Sequence, residues 1–256
     1  MEKKRVNYID IAKGISIICI ILGHLGIKSI DKVVFTFHVP IFFIISGYFL
    51  NDKINNREFI KSRFNRLIIP YFFICLVIII LGSIIGIMKG EFLSSLIKWC
   101  YASFYGSGIT YNEPFYIPQI GALWFLLALF WSSIFLKKIL DYNKDVRFLI
   151  VALLFLFGYF SKKIFWFPFS IQAGACATLF MYIGYLLKQS SEIINKISEE
   201  AKIFIIIFCF VTWFYFIKKF LSFEFSTCDF GRGIFDIIGS LCACVCIITL
   251  SKFIEY

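Results

Sequence analysis

Eight apolar stretches joined by short polar connections constrain this chain more than any other feature. They run over 9–27, 33–50, 67–88, 120–137, 147–161, 165–187, 202–218 and 233–251. A helix needs about 20 apolar residues to cross the hydrocarbon core of a bilayer, because each residue advances it only about 1.5 Å. All eight approach that length, 147–161 being the shortest. The expected fold is all-α: a polytopic transmembrane helical bundle of about eight spans, in one integral-membrane domain over 1–256. Of the 256 residues, 60% are hydrophobic and 16% charged, where a soluble domain has about half and about a quarter.

Lys3, Lys4 and Arg5 before the first stretch imitate a signal peptide. Asp10 and Lys13 interrupt it and no small-x-small cleavage site follows, so it reads as a retained span. With the N-terminus inside, the inner loops collect more Lys and Arg than the outer ones, notably Lys53, Arg57, Lys61, Arg63 and Arg66. That bias places both termini in the cytoplasm of a cell (plasma or inner) membrane. The net charge of +10 is spread between apolar spans instead of forming one basic face, which argues against a nucleic-acid partner. Of nine cysteines, Cys242, Cys244 and Cys246 alternate within one apolar run. On a helix, residues two apart point to different sides, so the expectation is small apolar helix residues and no metal.

The longest outer connection, 89–119, contains CYASFYGSGITYNEPFYIPQIG. Interfacial aromatics explain such a segment, and an aromatic loop that stacks on a sugar explains it as well. Gly82 and Gly86 form a GxxxG suited to close helix packing.

The chain has two histidines, His24 and His38, both in apolar runs. An ionisable group within a membrane span is costly, and points to function or to a paired partner. On a helix, Lys13 and His24 differ by only about 20° around the axis and are about 16 Å apart along it. Asp10 lies three residues before Lys13, on the same side. One face would thus carry a charged pair at one end and an imidazole at the other. A snorkelling ion pair and a packing histidine are the structural alternatives. His38 precedes Pro40, where a structural hydrogen bond and a catalytic role are about equally supported. Ser46 and Gly47 in FFIISGY permit close backbone approach. Arg63 and Arg66, three apart before Pro70, suit either inner-face anchoring or a phosphate-bearing ligand.

The order IDIAKG…LGH, FHVPIFFIISGY, RFNRLIIPYF, ALWFLLALFW resembles the acyltransferase 3 family of integral-membrane O-acyltransferases, most of all its fucose 4-O-acetylase-like branch. The family's basic residue, ten residues and histidine match Lys13 and His24. Its Arg-x-x-Arg matches Arg63 and Arg66, its Phe-Phe-x-x-Ser-Gly matches Phe42, Phe43, Ser46 and Gly47, and its Leu-Trp-Phe-Leu matches Leu123 to Leu126. Residues 167–187 resemble a later span ending in Gly-Tyr. The likeness covers 5–187 well and the rest weakly. Two departures stand out: the family commonly has about ten spans, and its first basic residue is often Arg, whose bidentate grip Lys lacks.

The resemblance implies transfer of an acyl group, acetyl from acetyl-CoA being the expected one, to a hydroxyl of a cell-surface carbohydrate or its lipid-linked precursor. In that reading Arg63 and Arg66 hold CoA phosphates, and Lys13, kept charged by Asp10, meets the diphosphate or pantetheine arm. His24 removes the acceptor's proton as general base, and Ser46 or His38 stabilises the oxyanion. The rival is a transporter or flippase of a polar small molecule or lipid-linked sugar, whose path the same intramembrane charges would line. A catalytically inert membrane scaffold is a third reading. The chain has no Gly-x-Ser-x-Gly elbow, P-loop or dinucleotide fingerprint.

Overall fold

The computed structural model describes residues 6–255, so Lys3, Lys4 and Arg5 lie outside the described residues. The described chain is helical throughout its regular structure and makes two isolated β-bridges. It forms two compact units: 6–49 with 183–224 and 229–255, and 50–182 with 225–228.

The first unit contains α1 (Asn7–Gly23), α2 (Lys28–Val34) and α3 (Pro40–Tyr48). To these it adds α10 (Ser191–Asn195), α11 (Glu199–Lys218) and α12 (Ile234–Glu255). α1 packs on α12, α2 and α3 and buries Ile9, Ala12 and Ser16, the i, i+3, i+7 stripe of a helix buried on one side. Ile17, Ile18 and Ile21 of the same helix stay exposed, and so does most of α11, which suits contact with lipid chains.

The apolar stretch 33–50 is not one helix. Pro40 has no N–H, and its ring opposes a helical carbonyl four residues back. The chain leaves α2 at Val34, turns through 35–39 and starts again with Pro40 in the first turn of α3. A helix end leaves carbonyls without intrahelical donors. Here backbone N–H groups of the turn reach the Val33 and Val34 carbonyls and two side chains add to them: Thr36 Oγ1 donates to the Val33 carbonyl at 2.5 Å, and His38 Nδ1 contacts the Val34 carbonyl at 2.6 Å.

The second unit contains α4 (Asn56–Arg63), a π-helical turn (Phe64–Ile68), α5 (Ile69–Met88) and α6 (Phe92–Tyr105). α7 (Trp124–Ile139) and α8 (Lys144–Ser161) follow, and α9 (Ile171–Gln189) starts in this unit. α4, the π turn and α5 run on as one rod over Asn56–Met88. α5 and α6 form a hairpin closed at Gly90, whose φ of +72° favours glycine. The aromatic segment 89–119 is therefore half helix, because its serines and lysine interrupt an apolar pattern without breaking the backbone. A Cβ on Gly82 would collide with the Trp99 indole, and one on Gly86 would fall 2.6 Å from the Ser95 side chain. The GxxxG does serve helix packing. The core of this unit gathers Ile68, Tyr71, Cys75, Ala102, Ile120 and Leu127, with the buried Tyr71 hydroxyl donating to the Ser103 carbonyl at 2.6 Å.

Among the described residues, five helical segments are long and apolar enough to cross a membrane: Asn56–Met88, Gly121–Ile139, Pro168–Gln189, Glu199–Lys218 and Ile234–Glu255. Of the other three expected spans, α1 is a shorter helix, 33–50 is broken at Pro40, and α8 carries Lys144, Asp145 and Arg147 in its first turn. The fold is a helical membrane bundle, and the protein is multi-pass.

Candidate functional site

In the first unit, α1 carries Asp10 and Lys13. Their carboxylate and ammonium are 3.7 Å apart and both are about two-fifths exposed (41% and 39%). The predicted i, i+3 pair is therefore formed. Its partial exposure makes it a weak stabiliser, and keeps Lys13 accessible. α1 ends at Gly23, so His24 lies just past the helix, with φ −90° and ψ 0°. The side of α1 that was expected to join Lys13 to His24 is open and not packed. His24 is exposed and Ile17, between the two on that face, is 52% exposed. The reason is that α1 spends its buried stripe on Ile9, Ala12 and Ser16, about 40–100° round the helix from Lys13.

His38 is held in the opposite way. It is 7% exposed, in the turn that Pro40 creates. Its ring meets Phe35 edge-on at 5.0 Å. A carbonyl can only accept, so the 2.6 Å contact with Val34 places a proton on Nδ1. In the neutral ring Nε2 then carries the lone pair, and it makes no hydrogen bond among the described residues. A neutral His38 thus presents a proton acceptor and has no spare donor for an oxyanion. The turn that carries His38 is pinned by its neighbours: Trp213 Nε1 donates to Thr36 Oγ1 at 2.9 Å, and Phe37 packs edge-on against Trp213.

Ser46 is half-buried on α3, and its hydroxyl has no hydrogen-bond partner among the described residues. It keeps a donor free, which His38 does not. α3 is held backbone to backbone by the end of α9: a Cβ on Gly184 would fall on the Ile44 carbonyl oxygen.

In the second unit, Arg63 closes α4 and Arg66 sits in the π turn that follows. Such turns insert one extra residue into a helix and are frequent at functional sites. Arg63 is half-buried, its guanidinium 5.2 Å from the centre of the Phe59 ring. Arg66 is exposed and close enough to repel it. Neither is within ion-pair distance of a carboxylate among the described residues. Two adjacent guanidiniums without a counter-ion form an anion-binding arrangement.

Sequence reasoning missed Lys137. Its neighbour Lys138 is exposed, while Lys137 is 5% exposed and buried beside Phe59. Its spacing was the available signal: it falls four residues after Ser133 on the buried side of α7.

The acyltransferase domain family, acyltransferase 3, matches residues 6–254. The chain is 28% identical over 159 residues to the nodulation protein NolL of Sinorhizobium fredii, covering 56% of this chain and 39% of that protein. It is 26% identical over 158 residues to NolL of Mesorhizobium japonicum, covering 56% and 38%. The chain thus spans less than half the length of these relatives. No solved structure matches.

Proposed function

The chain belongs to the acyltransferase 3 family of acyltransferase domains, and on that premise we propose that it is a membrane O-acyltransferase. It takes an acyl group, acetyl in the first instance, from acyl-CoA on the cytoplasmic side. It passes that group to a hydroxyl of a cell-surface carbohydrate or its lipid-linked precursor. The observation that carries this reading is the Arg63/Arg66 pair, set at a π turn and lacking a carboxylate partner among the described residues. Phosphate-bearing CoA needs such a grip, and a carrier of neutral sugars does not.

In this reading Arg63 and Arg66 hold CoA phosphates and Lys13, with Asp10 beside it, meets the diphosphate or pantetheine arm. His24 takes the acceptor's hydroxyl proton as the oxygen attacks the thioester carbonyl. The Ser46 hydroxyl, whose proton is uncommitted, donates to the oxyanion. The intermediate then collapses: the carbon–sulfur bond breaks and the CoA thiolate leaves with the proton from His24. His38 is the second candidate for the proton transfer, because its Nε2 lone pair is unengaged and its ring is fixed.

The test is CoA release from acetyl-CoA by membranes containing the protein, with His24→Ala beside wild type at matched expression. Release that falls by about 10²–10⁴-fold supports the base assignment. Equal release moves the role to His38. No turnover by wild type with candidate glycan acceptors would favour the transporter reading.

A further inference from the structure

Lys137 lies in the last turn of α7 and is 5% exposed. An ammonium has three protons to donate. One goes to the Asp52 backbone carbonyl at 2.5 Å; the other two have no acceptor among the described residues, and no carboxylate pairs with it there. A buried charge is ordinarily paired, because leaving it half-solvated is costly. Its Nζ is 5.9 Å from the centre of the Phe59 ring, the same ring that carries the Arg63 guanidinium at 5.2 Å. Arg66 adds a third positive charge beside Arg63. Phe59 is itself 5% exposed, so Arg63 at the end of α4 and Lys137 on α7 share one buried aromatic ring. The ring's π face favours each cation weakly and does nothing for their mutual repulsion. An anion beside Arg63 and Lys137 would offset that repulsion.

We propose that Lys137 is a third ligand-binding residue of the arginine site, and that the group it takes is a phosphate of the acyl donor's nucleotide end. This rests on reading Arg63 and Arg66 as the acyl-CoA grip, and adds a residue on a different helix. With ligands from α4, the π turn and α7, the site surrounds a phosphate from two helical rods. That geometry selects for CoA over donors that lack the nucleotide.

The experiment uses the full chain in nanodiscs and measures the dissociation constants of CoA and of pantetheine, which shares the arm and lacks the nucleotide phosphates. Lys137→Met keeps the side-chain length and removes the charge. Loss of a charge-assisted hydrogen bond should reduce the preference for CoA over pantetheine by about tenfold or more. A variant in which both ligands weaken in parallel, with the ratio unchanged, would overturn the proposal and mark Lys137 as structural. So would a variant that binds both like wild type. Arg63→Glu with Arg66→Glu is measured alongside: a CoA preference that survives this double reversal overturns the reading of the arginine pair itself, whatever Lys137→Met does.

Discussion

His24 and His38 are the same residue type in very different surroundings. His38 is fixed by a hydrogen bond to Val34 that also closes the end of α2. Asparagine can repeat that donation from a similar position while having no equivalent of Nε2. His38→Asn should therefore keep the thermal melting temperature of the detergent-solubilised protein. If His38 rather than His24 is the base, acyl transfer should drop by about 10²-fold or more. His38→Phe, which loses the donor, should cost about 1 kcal/mol of stability. Equal melting temperatures for the two variants would show that the cap does not stabilise the turn. Ser46→Ala should lower kcat by about 10²–10³-fold if its hydroxyl serves the oxyanion, and a change under threefold would remove it from the mechanism. The sequence placed His24, Lys13 and Asp10 on one face; the structure forms the Asp10–Lys13 pair and sets His24 just past the helix end. It was silent on tautomer and burial, because those depend on which carbonyl lies within 3 Å of a ring, and that is set by chain reversal at Pro40.

Elements here meet through glycines and a helical irregularity. A Cβ on Gly82 would strike the Trp99 indole, whereas one on Gly14 in α1 meets nothing within 4 Å. Gly82→Val should thus destabilise by about 1–3 kcal/mol through overpacking, while Gly14→Ala should stabilise by up to about 1 kcal/mol through helix propensity. Thermal melts of the pair check both signs. The π turn is the second device. Deleting Asn65 should convert it to an α turn and rotate Arg63 by about 100° relative to α5. Circular dichroism should show unchanged helicity while CoA affinity falls; retained affinity would show that the extra residue does not aim the arginine. Apolar periodicity made α5 legible in the sequence, but not this turn, since one inserted residue leaves a continuous apolar run looking the same. α6 was hidden for a related reason: Ser94, Ser95 and Lys98 dilute its pattern, and its stability comes from the glycine groove of α5.

For the whole molecule, the exposed apolar residues along α5 and α11, such as Phe73, Leu76, Phe204 and Phe208, need lipid around them. Reporter fusions test orientation: with a Lys- and Arg-rich inner side, a reporter at either terminus should be active in the cytoplasm. An active reporter on the opposite side at the C-terminus would mean an odd number of crossings and would require redrawing the spans. By itself the sequence determined the helical membrane class, the approximate spans, the Asp10–Lys13 pair and the Arg63–Arg66 pair, because hydropathy and helical period are local properties of the chain. Only the tertiary structure decided that His38 is locked while His24 is open, and that Lys137 is buried beside Phe59 without a carboxylate partner among the described residues. Those outcomes depend on which helices pack together, and residues 59 and 137, far apart along the chain, meet only when α4 and α7 do.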